Sequence, residues 1–99
     1  MAATISVKEA VQNAFDYIRD LIPKNQLKNL MLEEVEFHQS RNEWLITVGY
    51  DSFHDIEKID PTSIFVGQRV IKERKRVYKI IRINASNGSV ISMKIRSDA

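Results

Sequence analysis

The chain contains no cysteine. That excludes a disulfide framework, a thiolate nucleophile and any zinc or iron–sulfur centre held by cysteine. Proline occurs twice and glycine three times in 99 residues, so a collagen-like or low-complexity chain is excluded. The glycines, Gly49, Gly67 and Gly88, stand apart from one another, and a loop that cradles phosphate needs them clustered. Apolar runs extend over only a few residues, against roughly 20 for a membrane-spanning helix. The first residues, Met1 to Glu9, lack a basic stretch followed by an apolar one, so the reading predicts no signal peptide and a cytoplasmic setting.

What remains is the composition of one folded domain, 43% hydrophobic and 28% charged, on a chain long enough for a single modest core. The net charge of +2 conceals an imbalance. Residues 1–66 carry six Lys/Arg against eleven Asp/Glu, whereas residues 67–99 carry nine against two. Such asymmetry suits a nucleic-acid or membrane-surface contact, but it equally suits acidic and basic strands that neighbour each other in one sheet.

Ser6-Val7-Lys8-Glu9 has the form of a capping box and predicts a helix start. Val7, Ala10, Val11, Ala14, Phe15, Ile18, Leu21 and Ile22 recur at offsets of three and four, which predicts one amphipathic helix over about 6–22, stopped by Pro23. The period then falls to two. Strands are expected over about 30–38, with Val35 and Phe37 on one face, and about 43–50, with a polar turn at 39–43. Further strands are expected over 70–83, with a bend or bulge near Arg74-Lys75-Arg76, and over 90–96, with Ile91, Met93 and Ile95 on one face. Between those last two, Asn84 to Ser89 reads as a tight reversal in which Asn84 opens the turn with a side-chain hydrogen bond and Gly88 takes a positive φ. Residues 51–68 read as an insertion, with one or two helical turns over 52–59 placing Phe53, Ile56 and Ile59 on one side. The expected fold is α+β, one N-terminal helix packed on a four-stranded antiparallel meander.

The segment Val77 to Ser92, with Ile83-Asn84 and Gly88-x-Val90 in place of an Ile-Asp-x-x-x-Gly-x-Val pattern, resembles a PepSY-type domain. The resemblance covers residues 6–50 and 77–95, and a cystatin-like α+β domain shares its outline. It implies a non-catalytic binding or inhibitory module of the kind found beside peptidases.

Catalytic and metal chemistry find little support. His38 and His54 share no ligand spacing, Glu33, Glu34 and Glu36 read as a solvated strand face, and no serine lies in a nucleophile elbow. No cofactor is expected. Two surfaces stand out as contact candidates. Phe53, Ile56, Ile64, Phe65 and Val66 lie in the segment least needed by the sheet and suit a protein partner. Arg69, Lys72, Arg74, Lys75, Arg76, Lys79 and Arg82 form a basic strand, with Lys72, Arg74, Arg76 and Arg82 at one parity and Tyr78 among them. They could track phosphates while Tyr78 stacks a base. They could instead pair with Glu33, Glu34 and Glu36 across the sheet. The acidic and basic parts also leave room for a homodimer of complementary fields.

Overall fold

The computed structural model describes residues 4–59 and 68–96, with side chains described for 4–53 and 73–96. One helix, α1 (Val7–Leu21), precedes four strands, β1 (Lys28–His38), β2 (Glu43–Ile59), β3 (Gln68–Asn84) and β4 (Val90–Ile95). They form one antiparallel sheet in the order β1-β2-β3-β4. This is the expected α+β meander.

The helix begins as its sequence dictates. Ser6 Oγ accepts from the Glu9 amide at 3.1 Å, which satisfies one of the four N–H groups that a helix start leaves without a partner. At the other end Ile22 is extended, with Pro23 behind it. Ala10, Ala14 and Ile18, one turn apart, are fully buried. Two alanines in that row let the helix axis approach the sheet, and the space is filled from below by Ile46, Val48, Ile81 and Ile83, all without exposure. Full burial of one such Ile or Val is worth about 1.5–3 kcal/mol, so this cluster holds most of the fold's apolar stabilisation. α1 lies over β2, β3 and β4, which leaves Leu32 and Phe37 on β1 exposed.

Register shifts, two in β1 (between Lys28 and Met31 and between Leu32 and Glu34) and one in β4, set which side chains reach which face. In β1, Leu32 pairs with Val48 and Glu34 with Thr47, so Glu33 is the extra residue. The apolar positions accordingly change parity, from Leu30 and Leu32 to Val35 and Phe37, while Val48, Ile46 and Trp44, the β2 partners of Leu32, Val35 and Phe37, all belong to the core face. In β4, Ile83 pairs with Val90 and Arg82 with Ser92. Ile91 is the extra residue and stays exposed, and the core takes Val90 and Met93 instead. This corrects the uniform alternation expected for the last strand. The 84–89 reversal forms as predicted: the Ser86 amide donates to Asn84 Oδ1 at 2.8 Å, the Gly88 amide donates to the Asn84 carbonyl at 2.7 Å, and Gly88 has φ +78°.

The largest correction concerns residues 51–68. No helical turn forms over 52–59, because β2 continues to Ile59 and β3 starts at Gln68. The register runs from Glu43↔Asn84 to Ile59↔Gln68 without a shift, so the bulge expected near Arg74-Lys75-Arg76 is absent as well. The physical reason is the hydrogen-bond demand of the long basic strand. A helix at 52–59 would leave the backbone groups of Gln68 to Lys75 without partners, whereas a continued β2 satisfies them pair by pair. The offsets of three between Phe53, Ile56 and Ile59 favour a helix face over a strand face, and the pairing demand of β3 overrides that local signal.

β1 stops pairing at Lys28↔Asp51 and β4 at Ile95↔Lys79. Beyond those points residues 52–59 and 68–75 form a two-stranded arm.

Candidate functional site

The face of the sheet away from α1 is covered by side chains, not by a second layer of secondary structure among the described residues. Arg76, on β3, reaches over β2. Its Nη2 donates to Glu33 Oε1 at 2.7 Å, and its Nη1 donates to the Asn29 carbonyl at 2.7 Å and to Asp51 Oδ1 at 3.2 Å. Asp51 Oδ2 also accepts from the Asn29 side-chain amide at 2.7 Å. Arg82 grips Glu43 with two parallel bonds, Nε to Oε2 at 2.9 Å and Nη2 to Oε1 at 2.7 Å. Arg96 meets Glu34 at 3.5 Å and lies over the Tyr78 ring, 5.7 Å from its centroid. The β1 bulge is what directs both Glu33 and Glu34 to this face.

The crossing of Arg76 and Glu33 depends on Gly49, directly beneath it. A Cβ at Gly49 would lie 2.7 Å from Glu33 Oε1 and 3.1 Å from Arg76 Nη2. Gly49 therefore keeps β2 low enough for β1 and β3 to join above it.

The electrostatics follow from these contacts. The Arg82 hydrogen bonds hold the Glu43 carboxyl below its ordinary value, against the opposing effect of burial. Asp51 is held down first by the Asn29 amide and then by Arg76. Both arginines are pushed up by their carboxylate partners, Glu33 foremost for Arg76 and Glu43 for Arg82. Burial raises Tyr50. Glu43 and Asp51 are only 7% and 6% exposed, so pulling an arginine away from either would leave a buried carboxylate without its countercharge, a costly state.

That cost bears on the basic strand. Of its seven residues, Arg76 and Arg82 are committed to carboxylates of the same sheet. Arg74 and Lys75 are exposed but at opposite parity, and Lys79 is half-buried on the α1 side. Arg69 and Lys72 take register positions opposite Lys58 and Asp55. The strand does not assemble a continuous cationic surface from the residues whose side chains are described. Of the cross-sheet pairings with Glu33, Glu34 and Glu36 read from the sequence, the basic strand supplies Arg76 to Glu33, and Arg96, just past β4, meets Glu34.

The apolar candidates divide differently. Phe53 is 51% exposed at the root of the arm, and Ile56 pairs with Ile71 further along it. Ile64, Phe65 and Val66 lie outside the described residues. An open pocket of about 670 Å³ sits at the arm's root between Asn25, Gln26, Lys28, Tyr50, Ser52 and Phe53. Among the described residues its one carboxylate, Asp51, is held by Asn29 and Arg76. Trp44 packs against the core with its ring 4.8 Å from that of Phe37, and its Nε1 donates to the Ile5 carbonyl at 3.3 Å.

Among the described residues no group of three or more His, Asp and Glu is placed to hold a metal ion. No helix there is long and apolar enough to cross a membrane. Sequence reasoning missed Gly49 and the doubled Glu33-Glu34. The signal available was the change of apolar parity between Leu32 and Val35, which in a strand marks a bulge. Comparison of the chain with models of protein families, with curated proteins and with solved structures finds no match.

Proposed function

We propose that this chain is a non-catalytic protein-binding module whose contact element is the β2–β3 arm, residues 52–59 and 68–75. One observation carries the reading: the arm leaves the sheet beyond both flanking strands, so each of its two strands has an outer edge with no partner among the described residues. An isolated two-stranded ribbon is marginally stable in water, and unpaired strand edges are templates for pairing with another chain. Phe53, exposed at the arm's root, adds an apolar anchor. The proposal keeps the cytoplasmic setting read from the sequence, and the PepSY-type resemblance fits a binding or inhibitory role.

The test compares the full chain with a variant in which residues 52–75 are replaced by an Asn-Gly turn joining the register partners Asp51 and Arg76, a connection suited to a tight hairpin. Both are used to capture partners from lysate, with and without nuclease. The expected result is a protein retained by the full chain after nuclease and lost with the trimmed one. Capture that survives trimming refutes the reading, and material released by nuclease transfers it to nucleic acid.

A further inference from the structure

We infer that Asn87 is a modification site, at which the chain converts its own side-chain amide to a carboxylate through a succinimide closed on Gly88, with Ser89 stabilising the reacting oxygen. Of the six asparagines in the chain, Asn87 alone precedes a glycine. A succinimide forms when the backbone nitrogen of the following residue attacks the asparagine Cγ, and a side chain on that residue obstructs the approach. Glycine has none. Asn87 is exposed in the 84–89 turn, so ammonia has a way out and water a way in.

The turn adds a second element. The Ser89 amide donates to Asn87 Oδ1 at 2.9 Å, and the Ser89 hydroxyl donates to the same oxygen at 2.8 Å. Negative charge collects on that oxygen as the nitrogen closes on Cγ, so two donors already stand where the transition state needs them. Asn84 provides a contrast inside the chain, because Asn84-Ala85-Ser86 repeats the spacing. There the Ser86 amide donates to Asn84 Oδ1, but the Ser86 hydroxyl accepts from the Asn42 side chain. Ala85 carries a Cβ, is fully buried, and has its amide tied to the Asn42 carbonyl at 3.0 Å. Asn87 has one restraint of its own: the Gly88 amide donates to the Asn84 carbonyl at 2.7 Å, and that bond opens before the nitrogen attacks. The Ser89 donors lie two residues from Asn87 and stay with it through that opening.

The step balances with water as the only reagent. The Gly88 nitrogen gives its proton to hydroxide and bonds to Asn87 Cγ, the Cγ–Nδ2 bond breaks, and Nδ2 leaves as ammonia. Water then opens the ring at either carbonyl, leaving aspartate or isoaspartate at 87. Isoaspartate routes the main chain through the former side chain and lengthens the backbone within the turn. The bonds from Gly88 N to the Asn84 carbonyl and from Asn13 Nδ2 to the Gly88 carbonyl then lose their register, and with them goes a tie between α1 and the β3–β4 turn.

Peptide mapping of the full chain, aged at neutral and at mildly alkaline pH, tests the inference. The mass gain from exchanging NH2 for OH should fall on the peptide containing Asn87, split into two species of equal mass, and grow faster with hydroxide, while the other asparagines lag. Ser89→Ala keeps the amide donor and removes the hydroxyl, so it should slow the reaction by about two- to tenfold, the worth of one hydrogen bond. Ser89→Thr should restore the rate. A turn merely loosened by the substitution would open more often and speed the reaction, so the sign separates the two roles of Ser89. Aged wild type should melt below fresh protein, and aged Asn87→Gln should not. Conversion of Asn87 no faster than that of Asn84, or a Ser89→Ala rate equal to that of the wild type, overturns the inference.

Discussion

Replacing Gly49 with alanine should help or hurt the fold according to whether Glu33 is present. Gly49 lies within β2 and is not among the positive-φ residues, so alanine fits its backbone and, by narrowing the unfolded ensemble, should stabilise by about 0.4–1 kcal/mol. Against that gain stands the crossing ion pair. The new Cβ would lie 2.7 Å from Glu33 Oε1 and 3.1 Å from Glu33 Cγ, so a swivel of the carboxylate does not relieve the contact and the Glu33 side chain must leave. The lost pair, with side chains 24% and 28% exposed, is worth about 0.2–1 kcal/mol, and the displaced rotamer adds about 0.5–1.5 kcal/mol. Gly49→Ala in the wild type should therefore range from neutral to destabilising by about 2 kcal/mol. In a Glu33→Ala background only Arg76 Nη2 stands near the Cβ; as the free end of a flexible side chain it swings aside, and the same substitution becomes stabilising. Urea unfolding of the four proteins, followed by Trp44 fluorescence at constant m, measures the coupling, expected at about 1–2 kcal/mol. Equal effects of Gly49→Ala in both backgrounds would refute the account of Gly49.

Acid should destabilise the protein through Glu43 and Asp51. Their folded pKa values lie below the ordinary 4.5 and 3.8, so as pH falls the unfolded chain takes up protons first. The stabilisation is whole above the ordinary carboxyl range and is lost as pH drops through that range towards the folded values. A plot of Tm against pH should show this fall, and Glu43→Gln should flatten it; an unchanged slope would contradict the assignment. At the 84–89 turn, Gly88→Ala places a Cβ in left-handed backbone at φ +78° and 2.7 Å from Asn13 Nδ2, which itself donates to the Gly88 carbonyl at 3.0 Å. A loss of about 1–2 kcal/mol is expected in the same urea assay, and a neutral result would show that the turn relaxes to another form.

The legible features were those with local causes. Ser6 and Glu9 place the helix start, Pro23 its end, and Asn84 with Gly88 the last turn, because each acts through its own neighbours in sequence. The missed features were set by residues far along the chain. Phe53, Ile56 and Ile59, three apart, suit a helix face, and the outcome belongs instead to the backbone of Gln68 to Lys75 on the other side of the hairpin. The identity of the bulged residues, Glu33 and Ile91, depends on register against β2 and β3. As for the candidate site, the sequence showed that Arg76 and Arg82 were cationic and of one parity. It could not show that Gly49 opens a crossing from Arg76 to Glu33, nor that Arg82 reaches Glu43 on the neighbouring β2, contacts that commit both cations to carboxylates of the same sheet.

The central claim is that the arm is a contact element completed by another chain. Hydrogen–deuterium exchange of residues 52–59 and 68–75, compared with the core segments around Ile46 and Ile81, tests it most directly. The account predicts fast exchange of the arm in the chain alone and marked protection once the protein it captures is added, with the core protected throughout. An arm protected as well as the core in the chain alone would be self-sufficient, and one that stays as fast with the captured protein present would make no contact with it; either result would contradict the claim.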